Sequence, residues 1–167
     1  MTTFLIILII FIAIIVIAGV SANKKRNEKC NELGITQNDL TQIGDYVSGH
    51  PNIDNSKNSV SYIISNNNIE FYDVQISLLA KTPLEQIKDV YIEDASTIEK
   101  RISAGRLLLV GVFALAWQKN KKNEMAFLIL KLNDGRFDHE CIFQFNGKDA
   151  ISTANAKRNV LIRVLPK

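Results

Sequence analysis

The sequence is short of the residues from which most catalytic and metal sites are built. It holds two cysteines, two histidines and one tryptophan. Cys30 and Cys141 lie far apart, so they make neither a close-spaced metal pair nor a disulfide framework. His50 sits beside Pro51 in a loop and His139 lies on an expected strand, and neither has a visible third ligand. A nucleophile-elbow Gly-x-Ser-x-Gly is missing. Gly147-Lys148 lacks the upstream glycine and the Ser/Thr of a phosphate loop. These gaps argue against an enzyme, a metal centre or a cofactor. Internal repeats and long low-complexity linkers are also missing.

Charged side chains are absent before Lys24, and what fills that space is an apolar run from Phe4 to Val20. Its seventeen residues, eight of them isoleucine, span ~26 Å as a helix, close to the ~30 Å of a hydrocarbon core. In water so much isoleucine favours strand. In lipid the backbone must satisfy its own hydrogen bonds, which favours helix. Val20-Ser21-Ala22 resembles a signal-peptide cleavage site, and an exported domain after cleavage is one alternative. Against it, no basic residue precedes the run. Lys24, Lys25, Arg26 and Lys29 follow it directly, and such a cluster usually stays cytoplasmic. The expectation is a single-pass anchor over residues 1–23, with the N-terminus outside and the C-terminal part in the cytoplasm.

The net charge is +3. Without the four juxtamembrane bases the remainder is close to neutral, so composition gives no sign of a nucleic-acid binder. The cluster is a topology determinant that can also sit against anionic lipid headgroups.

Residues 24–58 read as a partly helical linker. Thr36-Gln-Asn-Asp can start a short helix with Leu40, Ile43 and Val47 on one face. Residues 49–58 read as a loop. From Ser59 the period becomes two. Val60, Tyr62 and Ile64 form one strand, Ile69 and Phe71 a second after the Asn66-Asn67-Asn68 turn, and Ile76 and Leu78 a third. Pro83 interrupts, and Ile87–Ile92 is another strand. Met125–Leu132, apolar on both faces, reads as a central strand. Asn133-Asp134-Gly135 marks a tight hairpin. The answering strand puts Phe137, His139, Cys141, Phe143 and Phe145 on one face, with Cys141 in the core. Asp149 or Ser152 caps a last helix, with Ala150, Ile151, Ala154, Leu161 and Val164 as its apolar stripe. The fold class is mainly β, with short antiparallel strands closed into a barrel or packed sheets by one C-terminal helix.

Leu107–Trp117 is a second uncharged stretch, of eleven residues, too short for a relaxed span. Bases flank it: Lys100, Arg101 and Arg106 before, Lys119, Lys121 and Lys122 after. Either it is a buried strand pair kinked at Gly111, or it rests in the membrane interface with Trp117 at headgroup level. Arg101, Arg106, Phe113, Trp117, Lys119, Lys121 and Lys122 are therefore the candidate membrane or partner surface.

Thr82-Pro-Leu-Glu-Gln-Ile-Lys-Asp-Val90 and Ile102-Ser-Ala-Gly-Arg106-Leu-Leu-Leu-Val-Gly111-Val-Phe-Ala-Leu-Ala-Trp117-Gln-Lys119 resemble bacterial pleckstrin-homology-like (PH-like) domains over roughly residues 59–165. The resemblance implies a seven-stranded, strongly bent barrel capped by a C-terminal helix, and a non-catalytic binding or scaffold module. Eukaryotic relatives of the fold often bind phosphoinositides through bases near the first hairpin. Here that hairpin is Asn66-Asn67-Asn68 with only Lys57 nearby, so this ligand is not carried over. The expected role is to hold a protein partner at the inner membrane face. A module that presses Leu107–Trp117 and its flanking bases on lipid is the alternative. Under the lipid-contact alternative, Trp117→Glu in a fragment of residues 24–167 abolishes liposome binding while near-UV circular dichroism is unchanged. Under the core alternative the same substitution abolishes folding.

Overall fold

A computed structural model describes residues 2–56, 59–103 and 125–166 of the chain. It divides into two compact units, Met1–Leu40 and Thr41–Lys167. In the first, helix α1 runs unbroken from Thr2 to Glu32. The large apolar side chains from Ile7 to Val20 are exposed, and the helix is long and apolar enough to cross a membrane. A signal sequence near an N-terminus has the same properties. Gly34, at φ +68°, ends α1 in a Schellman motif. The Ile35 N–H donates to Cys30 O (2.9 Å) and the Gly34 N–H to Asn31 O (3.1 Å).

The helix expected from Thr36 does not form. Its cap does: the Thr36 N–H and hydroxyl both donate to Asp39 Oδ2, at 2.7 and 2.9 Å. The chain then enters strand β1, Thr41–Ser48. Pairing on both sides inside a sheet overrides a local helix signal of one turn.

Strands β2 (Ser59–Ser65), β3 (Asn68–Tyr72), β4 (Leu78–Pro83), β5 (Ile87–Asp94), β6 (Met125–Asn133) and β7 (Asp138–Asn146) complete one antiparallel sheet in the order β4-β3-β2-β1-β7-β6-β5. Helix α2 (Ala95–Ser103) follows β5, and helix α3 (Ala150–Val164) closes the chain. The sheet is open. Its edges β4 and β5 are not paired with each other, so the expected barrel is not closed.

Two hairpins form as their turn chemistry dictates. Asn66 and Asn67 hold φ +48° and +62° between paired Ser65 and Asn68, the geometry of a two-residue turn that matches strand twist. Gly135 takes φ +89° between β6 and β7. There Asp134 Oδ1 accepts the N–H groups of Arg136 and Phe137, both at 2.8 Å.

Strand β1 sits in the middle of the sheet and is bulged twice. Against β2, Gln42 pairs with Ser61 and Asp45 with Ser59, so Ile43 and Gly44 share one opposing residue. Against β7, Tyr46 pairs with Phe143 and Ser48 with Ile142, so Val47 is extra. The main core draws on all seven strands, among them Ile43, Val60, Phe71, Ala80, Val90, Leu128 and Phe143, with Ala154 and Leu161 of α3. A second core lies on the opposite face of β6. There Met125, Phe127 and Ile129 pack with Ile142, Val47 and the α2 residues Ala95 and Ile98. Met125–Leu132 is apolar on both faces because each face has its own core. Asp94 caps α2, with Oδ1 accepting the Thr97 N–H at 2.7 Å.

Four residues depart from the expected pattern. Ile76 is not in a strand. It occupies a turn at φ +61°, and Asp73 Oδ1 accepts the N–H groups of Gln75 and Ser77 on either side. A β-branched residue there is strained, and burying its side chain offsets the cost. Phe137 precedes β7 and is exposed, while Cys141, Phe143 and Phe145 of its expected stripe are buried. Ile151 and Val164 of the expected stripe are exposed on α3, where Ala150, Ala154 and Leu161 face the core.

Gly49 is at φ +101°, and a Cβ there would lie 1.7 Å from Glu140 O. Gly49→Ala therefore displaces backbone, and its expected cost exceeds ~4 kcal/mol. Gly135→Ala meets nothing within 4 Å and should cost ~1 kcal/mol from its φ alone. Paired urea unfolding curves followed by circular dichroism check the contrast.

Candidate functional site

Lys24, Lys25, Arg26 and Lys29 all lie on the polar end of α1 and are exposed. The helix continues through them, so at 1.5 Å per residue the first three fall within ~10 Å of the apolar end at Val20. Lys24 and Glu28 stand 4.0 Å apart, one helical turn on, a contact of small worth at such exposure. On the other surface predicted from sequence, Arg101 lies in the last turn of α2. Arg106, Phe113, Trp117, Lys119, Lys121 and Lys122 lie outside the described residues, as does all of Leu107–Trp117.

Sequence reasoning left His50 as a loop residue. The structure buries it at 6% exposure and uses all of its polar atoms. Its N–H donates to the Tyr46 hydroxyl (2.9 Å). Nδ1 accepts the Asn52 N–H (3.1 Å), so the ring proton belongs on Nε2, which donates to Thr82 Oγ1 at 2.9 Å. The Tyr46 hydroxyl in turn donates to Ile53 O at 3.4 Å. Phe71 meets the imidazole edge-on, with ring centroids 5.6 Å apart. This network ties the loop after β1 to edge strand β4. It holds the imidazole neutral: burial, with a smaller contribution from His139, lowers its pKa to about 4. Cys141 is fully buried, and burial pushes its thiol up. The neighbouring Pro51 hinted at a fixed loop, but no local signal named Thr82 as partner.

A groove of about 390 Å³ opens where β1 parts from β7, walled on one side by α3. Gln42, Gly44 and Asp45 of β1, Gln144, Phe145 and Asn146 of β7, and Thr153 and Lys157 of α3 line it. The β1–β7 ladder covers Asp45–Ser48 and reaches no further than Gln144. Gly44 permits a close approach of β1 to β7 beside the groove. At φ +113°, a Cβ there would meet Gln144 O at 2.8 Å and the Phe145 ring at 3.0 Å. A relay crosses the fork: Gln144 Nε2 donates to Asn146 Oδ1, and Asn146 Nδ2 to Asp45 Oδ2 at 3.4 Å. Partial burial raises the Asp45 carboxyl pKa. Among the described residues neither Asp45 nor Lys157 is in an ion pair, and no group of three metal-ligating side chains occurs.

The sheet's two edges differ. On β5, Arg158 Nε of α3 donates to Val90 O at 2.9 Å. On β4, Lys81 stays half exposed while it pairs with Glu70 at 2.8 Å, and Pro83 ends the strand. A short edge bearing lysine and proline resists chance strand addition.

No family profile, no curated protein and no solved structure matches the chain.

Because the folded His50 pKa lies below the unfolded value of ~6.5, its contribution to stability is complete above pH ~6.5. It is lost as pH falls toward 4, when the unfolded chain binds the extra proton. Urea titrations of the detergent-solubilised chain should show stability falling by ~1.4 kcal/mol per pH unit across that window, and His50→Gln should remove this component.

Proposed function

We propose that the chain is a single-pass membrane protein whose cytoplasmic unit is a PH-like module that holds a protein partner at the membrane. The observation that carries this reading is α1, in which an exposed apolar run leads without a break into Lys24, Lys25, Arg26 and Lys29. A helix of this kind is long enough to span, and its bases favour the cytoplasmic side. Seven antiparallel strands followed by a C-terminal helix against β5, β6 and β7 agree with the resemblance to PH-like domains.

The reading is supported by the structural use of two side chains that could otherwise do chemistry. His50 has both ring nitrogens engaged in holding the loop. Cys141 is sealed in the core. On this reading the anchor restricts the module to the membrane surface, where its local concentration makes a modest interface effective.

Topology is the first test. With a tag at the C-terminus, protease should leave the tag intact in spheroplasts and digest it after permeabilisation. Digestion in intact spheroplasts would place the unit outside and overturn the cytoplasmic reading. A mature N-terminus near Asn23 would show cleavage instead of anchoring.

A further inference from the structure

We propose that Asn146 is a site of spontaneous deamidation, at which the Gly147 backbone nitrogen displaces the side-chain amide and the Gln144 side chain stabilises the oxyanion that forms. The inference goes beyond the binding role above and does not depend on it.

Asn146-Gly147 is the one Asn-Gly pair in the sequence. In such a pair the backbone nitrogen that follows asparagine can bond to the side-chain carbon Cγ and close a succinimide ring, and glycine has no side chain to hinder it. Asn146 is the last residue of β7. Both Asn146 and Gly147 are exposed. Gly147 holds φ +97°, and nothing lies within 4 Å of the place a Cβ would take. The nucleophile therefore has open space around it, and water reaches the ring that forms.

Two neighbours orient the amide. Asn146 Nδ2 donates to Asp45 Oδ2 at 3.4 Å. An ionised carboxylate only accepts, so Nδ2 and not Oδ1 must face it. Oδ1 then faces Gln144, whose Nε2 donates to it. Gln144 and Asn146 alternate with Phe145 on β7, so their side chains share a face. Gln144 is itself buried, which holds the donor in place. The oxygen that receives this donor is the one on which negative charge develops as nitrogen adds to Cγ. A donor already aimed at that atom lowers the barrier, as in an oxyanion hole.

The Gly147 nitrogen gives up its proton and bonds to Cγ. The Cγ–Nδ2 bond breaks, and Nδ2 leaves as ammonia carrying that proton. Water then opens the succinimide. Attack at Cγ gives aspartate, and attack at the main-chain carbonyl gives isoaspartate. Either product puts a second carboxylate beside Asp45 and removes the donor that faced it. Isoaspartate also adds a methylene to the main chain between β7 and α3, just ahead of buried Ala150.

Asp134-Gly135, the one Asp-Gly pair, has the opposite arrangement. Asp134 Oδ1 accepts the Arg136 and Phe137 N–H groups, and these bonds hold its carboxyl at a pKa of about 2. An ionised carboxylate resists a nucleophile, so this site should stay intact.

The test follows the full chain in phosphatidylcholine nanodiscs at neutral pH, kept in heavy-oxygen water and sampled over days. Trypsin releases residues 137–148 as one peptide. Mass spectrometry assigns the label to position 146, and electron-transfer fragmentation separates isoaspartate from aspartate. A synthetic peptide of residues 137–148 is the unfolded reference. Asn146 should convert in the folded chain at least as fast as in that peptide, with no label at position 134. Gln144→Leu should slow conversion at least ~10-fold, as expected for loss of one hydrogen bond to a developing charge. Asp45→Asn, at an exposed position, lets the amide turn over and should slow conversion several-fold without touching the core. Circular dichroism of each variant must match the parent. Slower conversion in the folded chain than in the peptide overturns the proposal. So does the parental rate in folded Gln144→Leu, or in folded Asp45→Asn should Gln144→Leu not fold.

Discussion

The close approach of β1 to β7 is the constraint on which the second unit depends. Strand β1 joins β4-β3-β2 to β7-β6-β5. It comes so near β7 that a Cβ at Gly44 would press on Gln144 O and one at Gly49 on Glu140 O. Both glycines hold positive φ, so the absence of a side chain serves conformation and contact together. Gly44 belongs to one bulge and Val47, between the two glycines, to a second, and such bulges bend and twist a strand. Side chains from all seven strands can then converge on one core with α3.

The same bulges explain why this strand was hidden in the sequence. Leu40, Ile43 and Val47 recur at spacings of three and four, which is helical. In a regular strand, residues three apart face opposite sides. Across the bulge at Ile43 and Gly44 the alternation slips by one, and Ile43 and Tyr46 both reach the main core. Val47, extra against β7, turns to the second core. A bulged strand thus imitates a helix in any count of apolar spacings, and only its two partner strands, distant in sequence, reveal it. Features fixed by neighbouring residues were legible: the Asn66-Asn67 and Asp134-Gly135 turns, the two-faced β6, the core position of Cys141 and the long α1. Features fixed by distant partners were not: the His50–Thr82 pair joins residues thirty-two apart. The fork likewise needs β1, β7 and α3 in place before Asp45 and Lys157 share a groove. Ile76 failed for a third reason. Its side chain is what a strand wants, but Asp73 imposes a turn by accepting two N–H groups across it.

Polar groups inside the second unit are spent on fixing loops. Tyr46, His50 and Thr82 satisfy one another and the Asn52 and Ile53 backbone, with Phe71 against the imidazole. Each atom of that set has a partner, which is what makes a buried polar cluster stabilising instead of costly. Neutrality of the imidazole is part of the design, since a proton on Nδ1 would face the Asn52 N–H. Asp134 does comparable work at the surface. It accepts two backbone N–H groups and contacts His139 Nε2 at 3.1 Å, and the backbone hydrogen bonds hold its pKa down at about 2.

Against that background the groove between β1, β7 and α3 differs in its charges. Lys24, Lys81, Lys131 and His139 each meet an acidic partner, and strand edges are covered by Arg158 or guarded by Lys81 and Pro83. The exposed Asp45 of β1 and the half-buried Lys157 of α3 line one groove with no ion pair among the described residues. A protein optimised for stability alone would close such a gap with a side chain at position 44, if the approach to β7 allowed one. The glycine that permits the close approach also forbids the filling, so the groove follows from the constraint that bends the sheet.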